Sequence, residues 1–174
     1  MGHTVLAVPV PALDDVVRER TAHYDSSFVS ADPDFVHAHI TVLSPWIPSP
    51  TPVDLGLVAS LLRRHPPFEV ALEEVGEFPD GVLHLRPRPE QSLRALTLAV
   101  AQAFPQHPPY AGRYPDPVPH LTVDRRSETV TAATVRTRLA HLLPLAFVVD
   151  RVDLQWWAND DCRLLHSWRV GDGP

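Results

Sequence analysis

A chain of 174 residues, 44% of them hydrophobic, is long enough to bury about two-thirds of its unfolded surface and has a globular rather than a disordered composition. Its net charge of −6 argues against coating long duplex nucleic acid, which depends on neutralising phosphates, but leaves small anionic ligands open. The single cysteine, Cys162, excludes a disulfide framework and a cysteine-based zinc ribbon, and suits a reducing cytoplasm. All basic residues are arginine, and a local arginine cluster can still hold one or two phosphates.

Val5 to Val10 reads as a short buried strand closed by prolines. The apolar stretch Val5 to Leu13 has no cationic flank and is broken by Pro9 and Pro11, so it is not an export signal. No apolar run approaches the ~20 residues of a membrane span. A soluble, cytoplasmic, monomeric protein with no membrane partner is expected. Ala12 to His23 is an amphipathic helix, and Phe35 to Leu43 is a strand stopped by Ser44-Pro45. Asp54 is the candidate N-cap of a helix bearing Leu57, Val58, Leu61 and Leu62. Phe68 to Phe78 and Val82 to Leu85 form a hairpin through Pro79-Asp80-Gly81.

The order then repeats. Glu90 to Phe104 is helical, with Leu93, Leu96 and Val100 on one face, and a proline-rich loop, Pro105 to Pro119, leads into the strand His120 to Arg125. Thr131 to Leu143 is helical, and the strands Phe147 to Trp157 and Cys162 to Val170 pair through Ala158 to Asp161. The pattern predicts a single two-lobed α+β domain over residues 1–174, with two antiparallel sheets facing a central cleft, helices outside, and a pseudo-two-fold relation.

His39-Ile40-Thr41-Val42 and His120-Leu121-Thr122-Val123 are the informative residues. On a strand alternate side chains share a face. His39 and Thr41 therefore point one way, with Ile40 and Val42 behind them in a core, and His120 and Thr122 repeat the arrangement. One H-x-T carries no weight, whereas two copies of H-aliphatic-T-V on two predicted strands do. Cleaving a phosphodiester requires one group to take a proton from the attacking oxygen and another to give one to the leaving oxygen. Histidine, with an ordinary pKa near ~6.5, serves in either role. The threonine hydroxyls can donate to the non-bridging phosphate oxygens, and the pair suffices without a metal or other cofactor.

These two motifs resemble those of the 2H phosphoesterase superfamily, specifically its LigT-like, 2′-5′ RNA ligase-related branch. So do their flanks: His23-Tyr24-Asp25, Leu43-Ser44-Pro45-Trp46, Val75-Gly76-Glu77-Phe78-Pro79, Val82-Leu83-His84-Leu85 and Pro119-His120. The resemblance implies a bilobal fold with His39, Thr41, His120 and Thr122 lining the cleft. It also implies action on 2′,3′-cyclic phosphates or 2′-5′ linkages of RNA ends or small nucleotides. Ala38 stands where proline often precedes the first histidine.

Other residues are candidates for substrate contact. Tyr110, Arg113 and Tyr114 precede the second motif, and aromatic or guanidinium planes suit a nucleobase. Trp46 follows the first motif as a stacking platform or a lobe-packing residue. Arg125 and Arg126 follow the second, and regular alternation puts Asp124 and Arg126 on the His120 face, barring a bulge. Two alternatives stand beside the enzyme. One is a non-catalytic module binding RNA ends or nucleotides in the same cleft. The other is a zinc hydrolase with His37, His39 and His120 as ligands; it leaves Thr41 and Thr122 without a role.

Overall fold

The computed structural model describes residues 2–114 and 116–171. Its strands are β1 (His3–Pro9), β2 (His39–Leu43), β3 (Phe68–Glu77), β4 (Val82–Arg88), β5 (Leu121–Arg125), β6 (Leu145–Val149), β7 (Arg151–Trp157) and β8 (Arg163–Arg169). The helices are α1 (Asp14–Asp25), α2 (Pro52–Arg63), α3 (Gln91–Ala103) and α4 (Ala132–Leu139). The strands form one curled antiparallel sheet of order β6-β3-β4-β5-β2-β1-β7-β8. The two expected sheets are its four-stranded halves, and a single residue pair, Ile40 opposite Leu121, joins them.

The halves of the sheet are not the halves of the sequence. β3 to β6 are consecutive in the chain and build one half, whereas β1 and β2 combine with β7 and β8 to build the other. The expected strand Phe147 to Trp157 is accordingly two strands. β6 pairs with β3, and β7 pairs with β1 in the opposite half. Only Asp150 separates them, so the chain passes from half to half in nearly unbroken extension. An alternating apolar pattern cannot reveal that bend, because the pattern continues across it.

One face of the sheet carries the core: Leu6, Val8, Ile40, Val42, Leu85, Leu121, Val152 and Leu154 are all buried there. Leu93, Leu96 and Val100 of α3 recur at helical spacing and seal it. Thr51, rather than Asp54, caps α2; Asp54 sits at N3, and the two close a reciprocal capping box behind Pro52. Thr131 and Thr134 do the same for α4. The expected hairpin turns through Gly81, whose φ of +86° suits glycine.

A repeated irregularity relates the halves. In one, Ala7 lies opposite Thr41 and Leu6 opposite Leu43; in the other, His84 lies opposite Thr122 and Leu83 opposite Asp124. Each motif strand therefore carries one extra residue, Val42 or Val123, at the same place. The bulge reverses the alternation beyond it, so Leu43 and Asp124 turn to the helical side. That corrects the regular-strand expectation for Asp124. Its buried carboxylate meets Arg20 at 2.8 Å and Arg138 at 2.9 Å, and accepts from the Tyr24 hydroxyl at 2.6 Å.

Candidate active site

β2 places His39 and Thr41, and β5 with the residue before it places His120 and Thr122. Extending the Ile40–Leu121 register by one residue sets His39 across from Thr122 and Thr41 across from His120. The two histidine positions are then diagonal neighbours, with backbones about 7–8 Å apart and a threonine beside each.

Both rings are fixed in the same way. His39 Nδ1 donates to the His37 carbonyl at 2.7 Å, and His120 Nδ1 donates to the Val118 carbonyl at 2.7 Å. A carbonyl only accepts, so Nδ1 must carry the hydrogen in each ring. Each Nε2 is thereby left as the basic nitrogen. Burial holds His39 down to about 4 from the ordinary 6.5; the His37 carbonyl opposes this, and repulsion by His120 adds to it. Burial also lowers His120, opposed by the Val118 carbonyl. Two neutral imidazoles with aligned tautomers can exchange protons on both sides of a group held between them.

Aromatic walls flank the rings. Trp157 lies 5.5 Å from His39, centroid to centroid, and its indole N–H donates to Gln155. On the other side Phe78 meets His120 edge-on at 4.8 Å. Next to His120 and Thr122 opens a cavity of about 800 Å³ lined by Tyr110, Arg113, Tyr114, Phe78 and Val118 among others. The proline-rich loop makes its roof, anchored where Tyr110 N–H donates to the Ser44 carbonyl at 2.6 Å. Tyr110 and Ala111 both have left-handed backbone, with φ of 52° and 55°, a conformation that costs non-glycine residues about 1–3 kcal/mol each. Tyr110 shares the lining of a neighbouring cavity with Thr41; burial pushes the pKa of its hydroxyl up, opposed by Thr41, and its ring lies nearly parallel to His120 at 6.5 Å.

Of the sequence candidates, Tyr110, Arg113 and Tyr114 line this cavity, whereas Trp46, Arg125 and Arg126 are not part of its lining. Trp46 is 1% exposed and packs edge-on against Phe104 in the core, which makes it a lobe-packing residue. Arg126 is committed to Glu77 through two bonds of 2.7 and 2.8 Å. Arg125 is exposed and donates to the Asp80 carbonyl at 3.1 Å, at the rim of the cavity. His37 precedes β2 instead of lying on it. It is buried and accepts the Ser30 N–H on Nε2 at 3.1 Å, with Asp14 3.7 Å from Nδ1. Both its nitrogens are thus turned to the protein's interior, and among the described residues no three His, Cys, Asp or Glu side chains group as a metal site requires. The three-histidine arrangement does not form.

Sequence reasoning missed His84, Phe78 and Trp157 as site residues. A lone histidine within the aliphatic strand Val82-Leu83-His84-Leu85 was the available signal. Its place beside Thr122 depends on a strand register that no local pattern encodes.

The curled sheet with paired histidine strands is the LigT-like fold. The chain is similar over 98% of its length to E. coli LigT complexed with 3′-AMP (19% identity, TM-score 0.60, 98% of that chain). It resembles E. coli LigT complexed with NADP+ at 18% identity and TM-score 0.55, covering 98% of each chain. It also resembles the TT0787 protein of Thermus thermophilus at 21% identity and TM-score 0.59, covering 98% of this chain and all of that one. No curated protein sequence matches it. The model of the 2′-5′ RNA ligase superfamily matches residues 9–161, and the chain belongs to that superfamily. It is thus an enzyme of the 2H phosphoesterase kind. No helix among the described residues is long and apolar enough to cross a membrane.

Proposed function

We propose that this protein is a metal-independent phosphodiesterase acting on 2′,3′-cyclic phosphates or 2′-5′ linkages of RNA ends or small nucleotides. The observation that carries this reading is the pair of imidazoles, each anchored through Nδ1 to a carbonyl at 2.7 Å, with Nε2 left basic. One neutral histidine takes a proton from the attacking water as its oxygen bonds to phosphorus. The other, protonated, donates to the ribose oxygen as the P–O bond breaks. Thr41 and Thr122 donate to the non-bridging oxygens.

The bound anion solves a problem set by burial. Both histidines are held low in the free protein, yet one must carry a proton; a phosphate between them favours the charged form and restores it. The cavity beside His120, about 800 Å³, is of ligand-site size, and its tyrosine rings suit a nucleobase. LigT binding 3′-AMP and NADP+ points to the same substrate class. The net charge of −6 favours short substrates over duplexes.

The test is hydrolysis of a 2′,3′-cyclic mononucleotide and a 2′-5′ linked dinucleotide, in excess EDTA, from about pH 3 to about pH 9. Turnover with a bell-shaped profile supports the mechanism, and His39→Ala and His120→Ala are each expected to lower kcat by about 10²–10⁴-fold. Turnover abolished by EDTA, or retained in both histidine variants, overturns it.

A further inference from the structure

A third imidazole stands directly against His120. His84 on β4 is 3% exposed and lies across from Thr122 on one side and from Gly76 on the other. Its ring stacks on Phe78, with centroids 3.8 Å apart and planes 13° apart. It meets His120 edge-to-face at 5.6 Å and 74°. Phe78 touches His120 as well, so the two stacked rings form one wall behind the catalytic imidazole.

Gly76 makes room for that wall. A Cβ there would lie 2.9 Å from His84 Nε2, closer than real Cβ contacts come, and 3.1 Å from Cε1, tighter than most. With Phe78 on its face and His120 at its edge, the ring has little freedom to yield. In the other half Trp157 flanks His39, but no histidine and glycine hold the matching strand positions. By strand register Ala7 stands where His84 does, beside Thr41, and Asp153 stands where Gly76 does.

We propose that His84 is a positioning residue that holds the His120 ring at the cleft and keeps water from behind it, with Gly76 admitting it to that place. The inference rests on His120 being one of the two acid–base groups. The groups that face His84 and His120 are few. Asp80 comes from the turn after β3, Arg86 from β4, Tyr110 from the proline-rich loop and His39 from β2, and the two imidazoles face one another; β3 places Gly76 across from His84. Because burial is the largest cause lowering His120, opening the space behind it returns the ring toward its ordinary value.

The experiment combines kinetics on a 2′,3′-cyclic mononucleotide with an NMR titration of the His120 ring in His84→Ala, His84→Phe, Gly76→Ala and the Gly76→Ala/His84→Ala double variant. A misplaced catalytic group costs up to about 100-fold, so His84→Ala is expected to lower kcat by about 10- to 100-fold with KM held within about threefold. The His120 titration midpoint moves up toward 6.5. His84→Phe, which retains a stacked ring, recovers most of kcat and keeps the midpoint low. Gly76→Ala lowers kcat alone and adds nothing in the His84→Ala background, where the Cβ has space. Unchanged kcat and midpoint in His84→Ala overturn the proposal, as do multiplicative effects of the two alanine changes. Should His84→Ala not fold, His84→Phe and Gly76→Ala decide the matter by the same readouts. If the unaltered protein hydrolyses neither cyclic nor 2′-5′ substrates, the catalytic reading fails alone; the NMR midpoint still tests whether His84 shields His120.

Discussion

Asp124→Asn separates two views of the second motif strand. With regular alternation Asp124 would share the His120 face, and losing its charge would alter catalysis. With the bulge at Val123 it lies on the helical side, fully buried, holding Arg20, Arg138 and Tyr24. Burial alone would raise its pKa, but the Tyr24 hydroxyl, the Arg125 N–H and the two guanidiniums outweigh that and hold it below the ordinary carboxylate range. Breaking a buried ion pair costs about 3–5 kcal/mol. Arg138 is one-third exposed and can rehydrate, so the lower end, about 3 kcal/mol, applies. For a chain of this length each kcal/mol moves Tm by roughly 2–4 °C, and a fall of about 6–12 °C at pH 7 is expected. A depressed carboxylate contributes stability above its unfolded pKa, near ~3.9, and loses it as pH falls through the lower folded value. The gap between the two proteins should therefore be full above pH ~5, begin to narrow near pH ~4 and vanish only beneath the lower folded value. Calorimetry across pH measures it, alongside kcat/KM profiles, which are expected to coincide. A Tm change under about 2 °C, or a displaced kinetic profile, would refute the reasoning.

Other expectations follow from the site and the core. With His39 at about 4 and His120 also below 6.5, kcat/KM should peak on the acid side of 6.5 whichever histidine is the base. A peak at or above pH 7 counts against the burial argument. Trp46→Ala should cost about 3–5 kcal/mol as a core truncation and leave KM unaltered; a raised KM with full stability would place Trp46 at the ligand instead. Gly81→Ala, at φ +86°, should cost about 1–2 kcal/mol, read from urea midpoints, because the hairpin turn needs left-handed backbone.

The motif pair was legible because its chemistry and its strand periodicity coincide. His39, Thr41, His120 and Thr122 needed only alternation to reach one face. Alternation failed at Asp124 because a bulge is an extra residue with no compositional mark, and at Asp150 because an extended chain can change partners without a turn. Tyr110 could be named as a loop aromatic, but its place beside Thr41 depends on left-handed backbone at Tyr110 and Ala111, two non-glycine residues ahead of Gly112. Trp46 illustrates the reverse case. Proximity in sequence to the first motif strand suggested a role at the ligand, and the cis Ser44–Pro45 peptide bond precedes an indole that lies in the core instead.

The interleaving of the chain has a consequence for how the molecule is made. The half of the sheet bearing His120 uses one contiguous stretch, β3 to β6, and its widest pairing, Phe68 with Val149, spans 81 residues. The half bearing His39 closes only when β7 and β8 return to β1 and β2. Its bonds include Gln155 to Val36, 119 residues apart, and Leu164 to Asp32, 132 apart. Such high contact order slows folding, since loop entropy is spent before the distant contacts form. During synthesis the His120 half is complete while the His39 half still waits for its last strands. Of all the parts of the molecule, the cleft shared by both halves is expected to acquire native order last, as refolding monitored by hydrogen exchange at β1 and β4 can report.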